Sequence, residues 1–177
     1  MDKLKKFEIA FGGLSYGIHQ FDFDVDNSFF ERFENEIIQG GNLHAKVTLT
    51  KQSQILKFDF DIRGTIHVEC DRCCDEFELP VLINEQMLVK FGDEAKEEDI
   101  DVFVIPVSET HINIAQQLYE YIAVSKPMHV VHPDNAKGES TCNPEILKKL
   151  NHINDETKEI KEKTADQRWD VLKYFKN

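Results

Sequence analysis

From Phe21 to Phe91, apolar and polar residues alternate for most of the chain, and this period of two constrains the fold more than any other feature. Successive side chains of a strand point to opposite faces, so the pattern builds strands with one apolar face and one wet face. Phe21, Phe23 and Val25 alternate with Asp22 and Asp24. Leu43, Ala45, Val47 and Leu49 alternate with His44, Lys46 and Thr48. Leu56, Phe58, Phe60, Ile62, Ile66 and Val68 form the clearest run, with Lys57, Asp59, Asp61, Arg63 and His67 between them. Gly64 interrupts that run without changing its parity, which marks a bend or a close backbone approach. Phe77, Leu79, Val81 and Ile83 continue the pattern, as do Met87, Val89 and Phe91. One dry and one wet face is the habit of an antiparallel sheet.

Helical signals flank and follow the strands. Asp26-Asn27-Ser28 offers N-caps for a helix through Phe29, Phe30, Phe33 and Ile37, with Gly40-Gly41 ending it. Asn113 and Gln116 resemble a capping box before a stripe of Ile114, Leu118, Tyr121 and Ile122, and Lys126-Pro127 stops that helix. Pro133 to Thr141 reads as a loop, and Asn143-Pro144 as a helix start. Residues 154–164 read as a charged linker or exposed helix, followed by a last helix bearing Trp169, Leu172 and Phe175. Strands first and helices second predict an α+β fold. The expected architecture is an antiparallel, strongly curved sheet from the N-terminal half, packed by two or three helices mostly from the C-terminal half. All 177 residues fit one domain, strand-rich over 1–110 and helical over 111–177.

Charge narrows the partners. With 33 acidic against 21 basic residues the net charge is −12. Phosphate binding needs Lys and Arg to displace counterions, so the chain as a whole repels nucleic acid. An acidic body suits a basic protein. Asp93, Glu94, Glu97, Glu98, Asp99 and Asp101 crowd one stretch, which reads as a solvated loop and a partner-binding surface. Arg168 beside Trp169 is a second candidate docking anchor, since those residue types dominate interface hot spots. Lys3, Lys5 and Lys6, with the lysines of 148–163, are the only basic patches that suit direct RNA contact. Neither a secretory signal nor an apolar run of membrane-spanning length is evident, which predicts a cytoplasmic protein without a membrane partner.

Cysteine supplies the one chemical motif. Cys70 and Cys73 are separated by two residues where one long strand ends and the next begins, which is half of a zinc knuckle. His129, His132 and Cys142 are candidates for the other half, and Cys70, Cys73, His129 and Cys142 make one tetrahedral set. The alternatives are buried apolar thiols or a redox pair, the latter disfavoured because a reactive pair usually opens a helix. No catalytic triad, phosphate loop or metalloprotease motif is present, so neither an enzyme nor a small-molecule substrate is expected. Asp59 and Asp61 lie on a wet strand face and read as solvated charges.

Val68-Glu69-Cys70-Asp71-Arg72-Cys73-Cys74-Asp75-Glu76-Phe77 resembles the V-x-C-x-R-C stretch and the acidic-aromatic strand of YceD-like proteins. The helix Ile114 to Ser125 leading into Lys126-Pro127-Met128-His129 resembles that family's helix and its exit. Cys142 is similar to a later family Cys, and Asp166-Gln167-Arg168-Trp169-Asp170-Val171-Leu172 resembles the terminal D-P-R-W-x-x-L element, with Gln167 in place of Pro. The resemblance implies a non-enzymatic role in accumulation of large-subunit ribosomal RNA and in ribosome assembly. The partner would be a ribosomal protein or a large-subunit rRNA precursor. A direct RNA-binding role and a thiol or zinc sensor are the alternatives.

Overall fold

The computed structural model describes residues 3–33, 37–92, 96–99 and 101–152. They divide into two compact units, one formed by Met1–Glu69 with Glu76–Val130 and the other by Cys70–Asp75 with Val131–Asn177.

The first unit carries a sheet that contains the strands the alternation predicts, mixed in place of the wholly antiparallel sheet expected. A 3-10 turn at Lys3–Phe7 leads into β1 (Glu8–Ala10). Then follow β2 (Gly17–Val25), β3 (Gly40–Lys51), β4 (Ile55–Glu69), β5 (Glu76–Gly92), β6 (Lys96–Asp99), β7 (Val102–Pro106) and β8 (His111–Asn113). Six strands form a mixed sheet in the order β2-β3-β4-β5-β7-β6, and β1 pairs with β8 in a separate ribbon. Every pairing is antiparallel except β5 with β7. The two apolar runs at 77–83 and 87–91 belong to one 17-residue strand, β5.

Register places the apolar parity of each strand in line across the sheet. Leu49 faces Phe58, which faces Met87, and Ala45 faces Ile62, which faces Ile83. All six are buried. At roughly 1.5–3 kcal/mol per large apolar side chain, this face dominates the unit's stability. Gly64 lies where the sheet backbones crowd. A Cβ there would sit 2.2 Å from the Asn42 carbonyl oxygen, and its φ of +150° is one that side-chain-bearing residues avoid.

Three expectations are corrected. The first helix is a single turn, α1 (Asn27–Phe30), and Gly40-Gly41 opens β3 instead of closing a helix. Tertiary contacts override the helical spacing: Phe29 and Phe33 join an aromatic cluster with Phe7 and Tyr119, and the Asn27 side chain accepts a bond from the Gly41 N–H at 2.9 Å. The acidic stretch is not wholly loop, because Lys96–Asp99 pairs with β7 through a bulge at Glu97/Asp99. The half expected to be helical opens on strand β8. After it α2 (Ala115–Ser125) buries Ala115, Leu118, Tyr119 and Ile122. Asn113, one residue before the N-cap Ile114, accepts from the Ala115 N–H at 2.9 Å, and Gln116 donates to Glu120 instead of reaching back, so the expected capping box does not form.

In the second unit residues 144–152 form a helix, α3, at the expected Asn143-Pro144 start. Asn143 Oδ1 accepts from the Glu145 N–H at 3.1 Å. No helix among the described residues is long and apolar enough to cross a membrane.

Candidate metal centre

Two short turns assemble the second unit's chemistry. The first joins β4 to β5. The Cys70 N–H donates to the Asp75 carbonyl at 3.0 Å and the Cys74 N–H to the Cys70 carbonyl at 2.9 Å, so the six residues fold back tightly. Closing that turn puts Cys74 at φ +59°, a conformation that costs a non-glycine residue about 1 kcal/mol. The second turn spans 134–140. Asp134 and Ser140 form an isolated antiparallel bridge, and Asn135 Oδ1 accepts from the N–H groups of Lys137 and Glu139. Stepping outward two residues on each side of that bridge brings His132 opposite Cys142.

Cys70, Cys73, His132 and Cys142 thereby converge, with one potential ligand atom from each all within 4.8 Å of one another. Cys70 Sγ lies 3.8 Å from Cys142 Sγ, and Cys73 Sγ lies 3.4 Å from His132 Nδ1. A tetrahedron with zinc–sulfur bonds of about 2.3 Å and a zinc–nitrogen bond of about 2.0 Å has S···S edges of about 3.8 Å and S···N edges of about 3.5 Å. The four donors therefore fit a tetrahedral ion, and three thiols with one imidazole are a donor set that such ions take. All four cysteines are free thiols. Cys70, Cys73 and Cys142 are buried, whereas Cys74 is exposed and stands outside the group.

The surroundings act oppositely on two of the thiols. Burial acts to raise the Cys70 thiol, but backbone N–H groups of Cys73, Arg72 and His132 outweigh it and bring the thiol down to about 6. The Arg72 N–H lies 3.4 Å from Cys70 Sγ. The Arg72 guanidinium donates to Ser140 Oγ at 3.1 Å and approaches Cys142 Sγ at 4.0 Å. Burial raises the Cys73 thiol, and its neighbours Cys70 and Cys142 raise it further.

His132 holds the place that His129 has in the set read from the sequence. The reason is register. The 134–140 bridge aligns 132 with 142, whereas His129 is exposed and belongs to the other unit. The sequence signal was the polar, Gly-containing stretch 133–141 between His132 and Cys142, which reads as a turn. Of the proposed partner-binding residues, Arg168, Trp169, Asp93 and Glu94 lie outside the described residues. Glu97, Glu98 and Asp99 are described only as backbone of β6. Asp101 follows β6, at φ +64°, and accepts a hydrogen bond from the Tyr121 hydroxyl at 2.8 Å.

The family model for the large ribosomal RNA subunit accumulation protein YceD matches residues 58–176, about two thirds of the chain. The chain belongs to the YceD family. The match begins within β4 and takes in all four members of the cysteine–histidine group, so the group lies in the part this YceD protein shares with its family. No curated protein and no solved structure matches the chain. The family's description names a ribosome-related accumulation factor and no reaction.

Proposed function

We propose that this YceD protein is a non-enzymatic cytoplasmic factor that supports large-subunit ribosomal RNA accumulation by holding a basic ribosomal protein during assembly, its 177 residues serving as one functional domain. The family match carries the role. Charge supports the mechanism. Besides the net charge of −12, the wet face of the sheet displays Asp22 and Asp24, with Asp24 largely exposed. The acidic stretch from Asp93 to Asp101 adds to it, and Arg168 with Trp169 supplies a docking anchor.

Direct RNA binding is the weaker reading because several described cations are already occupied. Arg63 pairs with Asp61 at 2.7 Å and Lys57 with Asp59 at 3.0 Å. Lys51 is spent on the carbonyls of Phe11 and Leu14, both at 2.8 Å. The metal in this reading is zinc, held by Cys70, Cys73, His132 and Cys142, and its part is structural. What carries it is burial: the only buried residues among those described in the second unit are Cys70, Cys73 and Cys142. A sensor role for the same thiols would require the ion to leave readily.

The test pairs depletion with binding. Depletion is expected to lower the ratio of large to small subunits in a sucrose gradient. The purified protein is expected to bind basic large-subunit proteins at low salt and to lose them as screening shortens the reach of its charges. A normal subunit ratio sinks the role, and binding indifferent to salt sinks the electrostatic holder. A shift of an rRNA fragment by the protein alone favours the RNA reading.

A further inference from the structure

Strand β5 breaks its own pattern once. Ile83 and Met87 are buried on the dry face, and Glu85, which shares their parity and faces Phe60 across the sheet, is exposed. A carboxylate at a core-parity position opens a notch where hydrocarbon would otherwise close the sheet. That notch is a groove of about 570 Å³ between β5 and α2, wholly within the first unit. Leu82 and Val124 line it, 65% and 84% exposed. Three carboxylates share it: Glu85, Asp101 and Glu120.

These acids surround Tyr121, whose ring packs edge-on against Phe60 at 5.2 Å and whose hydroxyl donates to Asp101 Oδ1. The tyrosine fixes one oxygen of Asp101. Burial raises the Tyr121 hydroxyl, and the bond to Asp101 raises it further, so it remains a donor. Among the described residues neither Lys nor Arg lines the groove, and no ion pair engages Glu85, Asp101 or Glu120. Three carboxylates and the exposed Val124, with Leu82 lining the same groove from the wet parity of β5, form a surface whose complement is cationic and apolar together.

We infer that the Leu82–Val124 groove receives a segment of a partner protein in which Lys or Arg stands beside aliphatic or aromatic side chains. The charged heads meet Glu85, Asp101 and Glu120 while the apolar groups cover Leu82 and Val124. A second copy of this chain is a poor occupant, since each copy carries −12 and the same three acids. A phosphate backbone is repelled by them. The inference rests on the holder reading and narrows it to one surface.

Fluorescence anisotropy with four labelled synthetic peptides tests it: leucine–arginine, glycine–arginine, leucine–glutamine and leucine–glutamate. The leucine–arginine peptide is expected to bind tightest. Glu85→Lys with Glu120→Lys, or Leu82→Glu with Val124→Glu, is expected to weaken it about tenfold or more. The replaced side chains are exposed, so an unchanged circular dichroism spectrum and melting curve accompany each variant. Unchanged affinity in both double variants overturns the groove but leaves an electrostatic holder on another surface. Equal affinity for the leucine–glutamine peptide overturns the cationic assignment. Absence of binding by either arginine peptide overturns the groove and the holder together. Sedimentation showing a dimer abolished by Val124→Glu overturns it in favour of self-association.

Discussion

The two units of this protein solve the problem of an interior in different ways. The first buries hydrocarbon: Phe7, Leu49, Phe58, Ile62, Met87 and Leu118 are all at most 1% exposed, and strand register sets three of them, Leu49, Phe58 and Met87, side by side across the sheet. The second, among its described residues, buries only sulfur. A short segment that cannot build an apolar core generally needs a disulfide or a metal, and here the thiols are free and set at metal-binding distances. On the zinc reading, one chain thus contains a unit whose stability scales with buried area and one whose stability scales with the occupancy of four ligands.

Metal removal breaks the comparison most sharply. The roughly 10–16 kcal/mol that zinc gives a small structural site, shared over four ligands, puts about 3 kcal/mol on each. Cys70→Ser, Cys73→Ser, His132→Ala and Cys142→Ser are each expected to cost about two orders of magnitude in zinc affinity. Cys74→Ser is expected to leave one ion per chain in native mass spectrometry. Chelation is expected to abolish hydrogen-exchange protection at 70–75 and 131–142 while the amides of β3 and β4 remain protected. Protection at 131–142 that survives complete metal removal would contradict the proposed division of labour.

Gly64→Ala probes the other side. The added methyl meets the Asn42 carbonyl oxygen and the Leu43 Cα, both fixed by sheet pairing, at a φ that L-residues avoid. Crowding and left-handed strain together are expected to cost about 3 kcal/mol. A urea melt followed by the sheet's circular dichroism reads this. Zinc stoichiometry at low denaturant is expected to stay at one. A variant as stable as the parent would show that β3 and β4 can part at Gly64, and the crowding argument would fail.

How far each unit was legible follows from the same difference. Period-two alternation records which face of a strand is dry, so β2 to β5 could be read from Phe21, Val47, Phe60 and Met87 alone. Residues 27–37 misled because Phe29 and Phe33 have helical spacing, yet their rings are claimed by Phe7 and Tyr119, far away in sequence. The pairing of Lys96–Asp99 with β7 was hidden because acidic residues on an edge strand look like a solvated loop. At the metal centre, Cys70 and Cys73 announced themselves by spacing. Choosing His132 over His129 required the register of a bridge between Asp134 and Ser140, and neither residue type signals pairing. The Glu85 notch was visible as a parity break, but only α2 packed beside β5 makes it a groove.

The smallest effect lies on the wet face, and it separates charge from hydrocarbon within the first unit. His44 on β3 lies 3.0 Å from Asp24 and 3.1 Å from Asp22 on β2, one carboxylate at each ring nitrogen. A neutral imidazole has a single N–H and can donate to only one of them, whereas the imidazolium donates to both. The hydrogen bond to Asp24, then that to Asp22, accordingly raises the His44 pKa above its ordinary 6.5. A raised folded-state pKa means that this contribution is fully present below the unfolded value and is lost as pH climbs through the folded one. Asp22→Asn with Asp24→Asn is expected to lower Tm relative to the parent below about pH 6 and to have no effect well above the raised value. The group is exposed, so salt is expected to shrink the difference. Comparing variant with parent at each pH cancels the pH dependence of the thiols, which both proteins share. A Tm difference that stays constant across the titration, or an NMR pKa for His44 at or below 6.5, would mean that the β2–β3 pairing is held by its backbone and by Phe21, Phe23 and Val25 without help from this clamp.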